Sequence, residues 1–186
     1  MLMPRGLSVE KFSLVLPRMK DGVLTHETYL GKRRFNQEYC RIDFFHSPLN
    51  LRMSDEEFER ISPDLQDLTT PFAGYGVISI MLGYEKAMIP KKYHDWLYMY
   101  DLYVDPDHRR IGLGSAINQE RKKFAERIGK PILLRPDPDT PIGFCNLIQF
   151  NEKNGFHQLE GGEGFWGYDG KMEVGKWTEK DLKLLA

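Results

Sequence analysis

The clearest chemistry in this sequence sits in seven consecutive residues, Arg109-Arg110-Ile111-Gly112-Leu113-Gly114-Ser115. Adjacent arginines supply positive charge and forked donors. The glycines lead into a predicted helix, whose first backbone N–H groups lack intrahelical partners and sit in positive potential. With no Cβ in the way, such donors approach phosphate oxygens closely. The plainer alternative is a strand-to-helix turn with solvated arginines. The ordered set of strand, Val104-Asp105-Pro106 turn, R-x-x-G-x-G and helix favours phosphate binding.

Other reactive residue types form weaker groups. His94-Asp95 could serve as a base with its orienting partner, although neighbours on a turn more often point apart. Cys145 could carry an acyl group, but a lone cysteine near a helix start is more often a small core residue. Cys40 and Cys145 are too distant in sequence for a metal-binding pair or a disulfide framework, which suits a reducing cytoplasm. Residues 162–167 match G-x-G-x-x-G, yet that fingerprint requires a following helix, and Tyr168-Asp169-Gly170 reads as a hairpin turn. The dinucleotide reading fails.

The loop needs elements to hold it. Residues 98–104 (YMYDLYV) have the aromatic and branched composition of a buried strand, and Pro106 ends it by removing a donor. A helix is predicted from Ser115 to a C-cap at Gly129. Ile117, Arg121, Phe124 and Ile128 recur on it at helical spacing, with the Arg121 stem expected to snorkel. Residues 76–82 (GVISIML) read as a central strand, 84–89 as its continuation or return, and 132–135 as a strand after the helix. The proline-rich 135–141 loop is expected to rim a substrate cleft. Residues 165–168 and 171–177 predict a hairpin about Asp169-Gly170. In the N-terminal third, 12–16 reads as a strand stopped by Pro17, and 38–46 as a half-buried strand. Ser54-Asp55-Glu56-Glu57 reads as a capping box opening a helix through Ile61. Lys32-Arg33-Arg34 reads as a solvated face.

Bulk properties exclude several classes. The 186 residues fit one domain with a full core. A net charge of −1 offers no bulk attraction to nucleic acid or anionic membrane. No apolar run is long enough to span a bilayer, and the first residues lack the apolar core of a signal peptide. A soluble cytoplasmic protein is expected, with no nucleic-acid or membrane partner. Oligomeric state is not legible.

The segment DLYVDPDHRRIGLGSAI resembles the acetyl-CoA signature of the GNAT superfamily of N-acetyltransferases, Q/R-x-x-G-x-G/A after a strand, with Arg109, Gly112 and Gly114 at its fixed positions. NLIQFNEKNGF, residues 146–156, is similar to that family's last helix and its glycine-phenylalanine ending. The resemblance covers roughly the C-terminal half, and none is found upstream of Gly74. It implies an α/β (α+β) fold: a mixed, mostly antiparallel central sheet flanked by helices, with splayed strands forming an acyl-CoA cleft. One domain over 1–186 is expected, with a divergent 1–73 portion and a recognisable acyl-CoA-binding core at 74–177.

The resemblance also implies acetyl-CoA as co-substrate and acetyl transfer to an amine by direct attack on the thioester. Main-chain N–H groups of Arg110, Ile111, Gly112, Leu113, Gly114 and Ser115 would cradle the pyrophosphate, with Arg109 and His108 adding charge. Leu102 and Val104 would hold the pantetheine arm by their main chain, and a donor there could stabilise the developing oxyanion. Asn146, at an offset from the family's asparagine, would reach the pantetheine amides. Asp101 stands where the family often carries an acidic residue; if buried, its raised pKa would suit a general base. The competing reading is an acid hydrogen-bonded to a neighbouring loop. Tyr98 and Tyr100 are read as core or pocket wall on its strand face. Asn151 departs from the pattern, because the family commonly places there a tyrosine that protonates the thiolate. An amide can donate a hydrogen bond to sulfur but cannot give up a proton. A catalytically inactive acyl-CoA-binding or protein-interaction module is therefore the alternative. No metal is expected. The acceptor, whether small amine, antibiotic, amino acid or protein lysine, is not legible.

Overall fold

A computed structural model describes residues 7–47, 72–81, 83–140, 143–160 and 164–170. The predicted capping-box helix at 54–61 and the 171–177 arm of the C-terminal hairpin lie outside these residues, as do the first two residues of the 162–167 glycine motif.

Eight strands form one sheet in the order β1-β2-β3-β4-β5-β6-β8-β7. They are β1 (Ser8–Lys20), β2 (Val23–Phe35), β3 (Tyr39–Ser47), β4 (Phe72–Ile80), β5 (Leu97–Val104), β6 (Ile132–Leu134), β7 (His157–Gln158) and β8 (Trp166–Tyr168). Among the described residues only β5 and β6 pair in parallel, and all other neighbours are antiparallel. The helices are α1 (Gly83–Met88), α2 (Leu113–Ile128) and α3 (Phe144–Lys153). The mixed, mostly antiparallel α/β architecture expected above is the one present.

Residues 84–89 turn back as α1 rather than extending β4. β1 runs straight through Pro17, which pairs opposite His26. An edge strand tolerates proline because half of its N–H groups face no neighbour. β1 and β2 therefore form a long hairpin that extends the same sheet beyond β3.

α2 crosses one face of the sheet and buries Leu113, Ile117, Phe124 and Ala125 against Ile42, Phe44, Ile78, Leu97 and Met99. Gly74 and Gly76 on β4 make room for this crossing. A Cβ at Gly76 would lie 2.4 Å from Ile117 Cγ2, and at Gly74 3.5 Å from Ile117 Cδ1. A second cluster, Met81, Ile89, Tyr93, Leu133 and Phe165, includes Tyr98 at its margin. The polar flank of α2 is held by the hairpin. Arg33 pairs with both Glu10 and the nearly buried Glu120, Glu120 also pairs with Lys123, and Arg127 reaches Glu10 while lying over the Phe35 ring.

Candidate active site

β5 carries the register change on which the site depends. Gly76 pairs with Leu102 and Ile78 with Met99, so two β5 residues, Tyr100 and Asp101, stand against Val77 alone. This is a β-bulge, and it reverses the alternation of the strand. Leu97 and Met99 face the α2 core before it, whereas Leu102 and Val104 face that core after it.

β5 also loses one neighbour. Its pairing with β6 consists of Leu97↔Ile132 and Tyr98↔Leu133, and nothing beyond. The Asp105 N–H donates to the Ala73 carbonyl at 2.9 Å. Hydrogen-bonded pairs alternate along an antiparallel ladder, so the main-chain groups of Leu102 and Val104 point away from β4, into the gap left by β6. The Val104 carbonyl there accepts a 2.9 Å bond from Arg109 Nε. An extended ligand laid along β5 would meet free main-chain donors, as an added strand does.

The glycine loop closes one end of this gap. After a short 3-10 turn at Pro106–His108, capped by Asp105 accepting from the Asp107 N–H at 3.0 Å, Arg110 adopts φ 64° and Gly112 φ 93°. Gly112 is the N-cap of α2, so the helix starts at Leu113, two residues earlier than Ser115. Its φ is what requires glycine there. Gly114 has no such conformational need; a Cβ on it would sit 3.4 Å from the Phe150 ring of α3 and 3.6 Å from Val104 Cγ2, in ordinary contact with both. Ala116 makes the first helical bond, to the Gly112 carbonyl. The six main-chain N–H groups from Arg110 to Ser115 have no acceptor among the described residues. Consecutive donors in a left-handed turn that leads into a helix form an anion-binding nest. The loop residues thus fit a pyrophosphate.

The remaining predicted residues distribute unevenly. Asp101 is exposed rather than buried, at the bulge and on the side of Tyr75 and Tyr103, whose rings stack at 6.0 Å. Asn146 and Cys145 are exposed on the first turn of α3, and Asn151 is buried further along it. His94-Asp95 precedes β5, at the end opposite the loop; eight residues of strand separate them by roughly 25 Å. His94 Nε2 bonds the Ile89 carbonyl at 2.8 Å, and both residues border a cleft of about 530 Å³ away from the loop. They take no part in the site.

Several residues that spacing alone does not single out belong to it. Asn154 Nδ2 donates to the Phe150 carbonyl at 2.8 Å and reaches Ser115 Oγ at 3.4 Å, joining the end of α3 to the loop. Tyr29 of β2 is fully buried; its hydroxyl donates to Glu27 Oε2 at 2.8 Å and lies 3.0 Å from His108 Nδ1. A hydroxyl has one proton, so with that proton on Glu27 the His108 Nδ1–H is the donor to Tyr29. Burial and the neighbouring His46 hold the His108 pKa below its usual value, so His108 adds no charge to the loop at neutral pH. Burial alone would raise the Glu27 carboxyl, but hydrogen bonds from Tyr29 and Arg18 bring it below its usual value. Arg121, finally, does not snorkel. It is fully buried and donates through Nη2 to the Asp101 carbonyl at the bulge.

Among the described residues no three of His, Cys, Asp and Glu group to hold a metal ion, and no helix is long and apolar enough to cross a membrane.

Residues 69–137, spanning β4 to the loop after β6, match the model of the acetyltransferase (GNAT) family. No curated protein matches the chain. Solved structures similar to it include the anti-CRISPR protein AcrVA5, at 25% identity over 52% of this chain and 90% of that one, TM-score 0.39. Another is the GNAT family N-acetyltransferase YhbS of Escherichia coli in complex with CoA, at 16% identity over 68% and 57%, TM-score 0.38. A third is a Bacillus anthracis str. Ames protein described as a streptothricin acetyltransferase, in complex with acetyl coenzyme A, at 12% identity over 87% and 96%, TM-score 0.40.

Proposed function

We propose that this chain, whose residues 69–137 match the acetyltransferase (GNAT) family, is an acetyl-CoA-dependent N-acetyltransferase acting on an amine. The observation that carries the reading is the pairing of two features along β5. One is a nest of six N–H groups from Arg110 to Ser115 without an acceptor among the described residues; the other is a main-chain edge at Leu102 and Val104 turned into the β5–β6 gap. Together they suit a ligand with a pyrophosphate at one end and an amide-bearing extended arm at the other. Bound acetyl-CoA supplies an activated acyl group as a thioester.

The residues of the chain then have distinct tasks. The nest holds anionic oxygens by main-chain donors, and Arg109, anchored on the Val104 carbonyl, fixes the loop to the strand end while keeping its charge beside it. The exposed Asp101 carboxylate stands at the bulge, where it can take the proton that an alkylammonium must lose before it attacks. Its solvent access leaves room for that substrate. Tyr75 and Tyr103 give the approaching amine aromatic faces. Asn151 can orient a departing thiolate but cannot protonate it. We place the whole function in one domain, with β1–β3 completing the sheet that the 69–137 core shares.

Titration calorimetry with acetyl-CoA, free coenzyme A and dephospho-coenzyme A tests the reading. Micromolar binding of acetyl-CoA, followed by thiol release when amines are added, is the expected outcome. Binding without thiol release from any amine would make the chain an acyl-CoA-binding module. No binding of any of the three would overturn the site.

A further inference from the structure

Among the described residues the largest fully buried side chain is Arg121. It is 0% exposed, yet no carboxylate among the described residues forms an ion pair with it. Nη2 donates to the Asp101 carbonyl, Nη1 reaches Asn118 Oδ1 at 3.4 Å, and Nε has no partner among the described residues. Burial lowers its pKa to about 9, which still leaves it cationic at neutral pH. An unpaired buried charge is costly, and apolar replacement of such groups is often neutral or stabilising. The sheet is also shaped for it, because Gly76 leaves open the space where Arg121 Nε and Nη2 lie 2.6 Å from a would-be Cβ.

What Arg121 holds is the bulge peptide. In a continuous ladder the Asp101 carbonyl would bond β4; with Val77 out of register, the guanidinium reaches over Gly76 and takes that carbonyl instead. A trans peptide is planar, and its C=O and N–H point in opposite directions. Holding the Asp101 carbonyl on the β4 side, under the guanidinium that lies over Gly76, therefore holds the Leu102 N–H away from β4, in the β5–β6 gap. A hydrogen bond from a cation to the carbonyl polarises the whole peptide and strengthens its N–H as a donor.

We infer that Arg121 is a positioning residue for acyl transfer: its buried cation orients and polarises the Asp101–Leu102 peptide so that the Leu102 N–H donates to the thioester carbonyl. The inference rests on the acyl-CoA reading above. It ascribes to Arg121 no contact with the substrate.

The test uses the full chain and acetyl-CoA labelled with carbon-13 at the acetyl carbonyl, and needs no acceptor. On the wild-type chain the carbonyl resonance is expected to move downfield on binding. In Arg121→Met that shift is expected to be lost, while calorimetry gives the wild-type affinity for free coenzyme A, which has no acyl carbonyl. Arg121→Gln, a neutral donor to the same carbonyl, should retain part of the shift, and it decides the matter should the methionine variant not fold. A wild-type shift in the folded Met variant, or a full wild-type shift in the Gln variant, would overturn the role of Arg121. Failure of the wild-type chain to bind coenzyme A is a different result and removes the acyl-CoA reading itself.

Discussion

Replacing Gly76 by alanine is the sharpest single perturbation this fold allows. The added Cβ would lie 2.4 Å from Ile117 Cγ2 and 2.6 Å from both Nε and Nη2 of Arg121. Carbon contacts settle near ~3.5–4.0 Å, so one neighbour must retreat by about 1 Å. Ile117 and Arg121 are both 0% exposed and have nowhere to go without moving α2 off the sheet. Overpacking of this kind costs about 1–3 kcal/mol. Displacing the guanidinium leaves the Asp101 carbonyl without its donor, which adds about 1–3 kcal/mol. The total is then about 2–6 kcal/mol. In a chain of this size each kcal/mol lowers Tm by about 2–4 °C, so a fall of at least about 4 °C is expected in scanning calorimetry. Gly31→Ala is the control. Its Cβ would lie equally close, 2.4 Å, to Phe12 Cζ, but Phe12 is only half-buried on the edge strand and can swing outward. That variant should cost nearer about 1 kcal/mol. Equal losses in the two variants, or a fall below about 2 °C in Gly76→Ala, would refute the packing of Arg121 over β4.

Gly112→Val places a branched side chain at φ 93° and should abolish calorimetric binding of coenzyme A; retained binding would move the phosphate site elsewhere. Asp101→Asn should slow thiol release in the presence of a competent amine and leave coenzyme A affinity and Tm unchanged; equal rates would remove Asp101 as the base. Acid should destabilise the fold in two stages. Unfolded His108 takes a proton near pH 6.5 and the folded residue resists it, so stability falls as pH drops below that value. The Glu27 contribution is present above its unfolded pKa of 4.5 and is lost as pH falls through its lower folded value. His108→Gln should flatten the first stage of the Tm profile and leave the second; an unchanged profile would show that the histidine is not the titrating group.

The sequence made the loop legible because its chemistry is local: two glycines, an arginine and a helix start lie within a few residues. The same locality explains what was missed. Strict alternation from Tyr98 cannot show that an extra residue at Tyr100-Asp101 reverses the faces of β5, because the bulge depends on the register of β4. Helical spacing placed Arg121 on the core face of α2, but nothing within the helix shows that a glycine of a distant strand, Gly76, would admit a guanidinium. Pro17 read as a stop because its position on a free edge is a property of the finished sheet. The pairing of Tyr29 with His108 crosses 79 residues of sequence and has no local signature. Residues 84–89 read as a strand that continues or returns from 76–82, and they form a helix instead, because periodicity does not separate the two in so short a run.

The clasp between the β1–β2 hairpin and α2 imposes an order of events on the nascent chain. The pairs Arg33–Glu120 and Arg127–Glu10 join residues 87 and 117 positions apart. At ribosomal speeds the hairpin is made roughly 4–25 s before the helix that it grips. During that interval Glu10 and Arg33 have each other but not their α2 partners, and Phe12, Leu14 and Leu16 await their cover. A lone hairpin is marginal in water, so pairing with β3, which follows within a few residues, is what preserves it. Pro17 and the lysines at positions 11 and 20 then serve a second purpose, as gatekeepers against other strands while the chain is incomplete. The phosphate nest at the head of α2 is made before β6 and α3, so the gap that it closes takes shape only once those later elements have been synthesised.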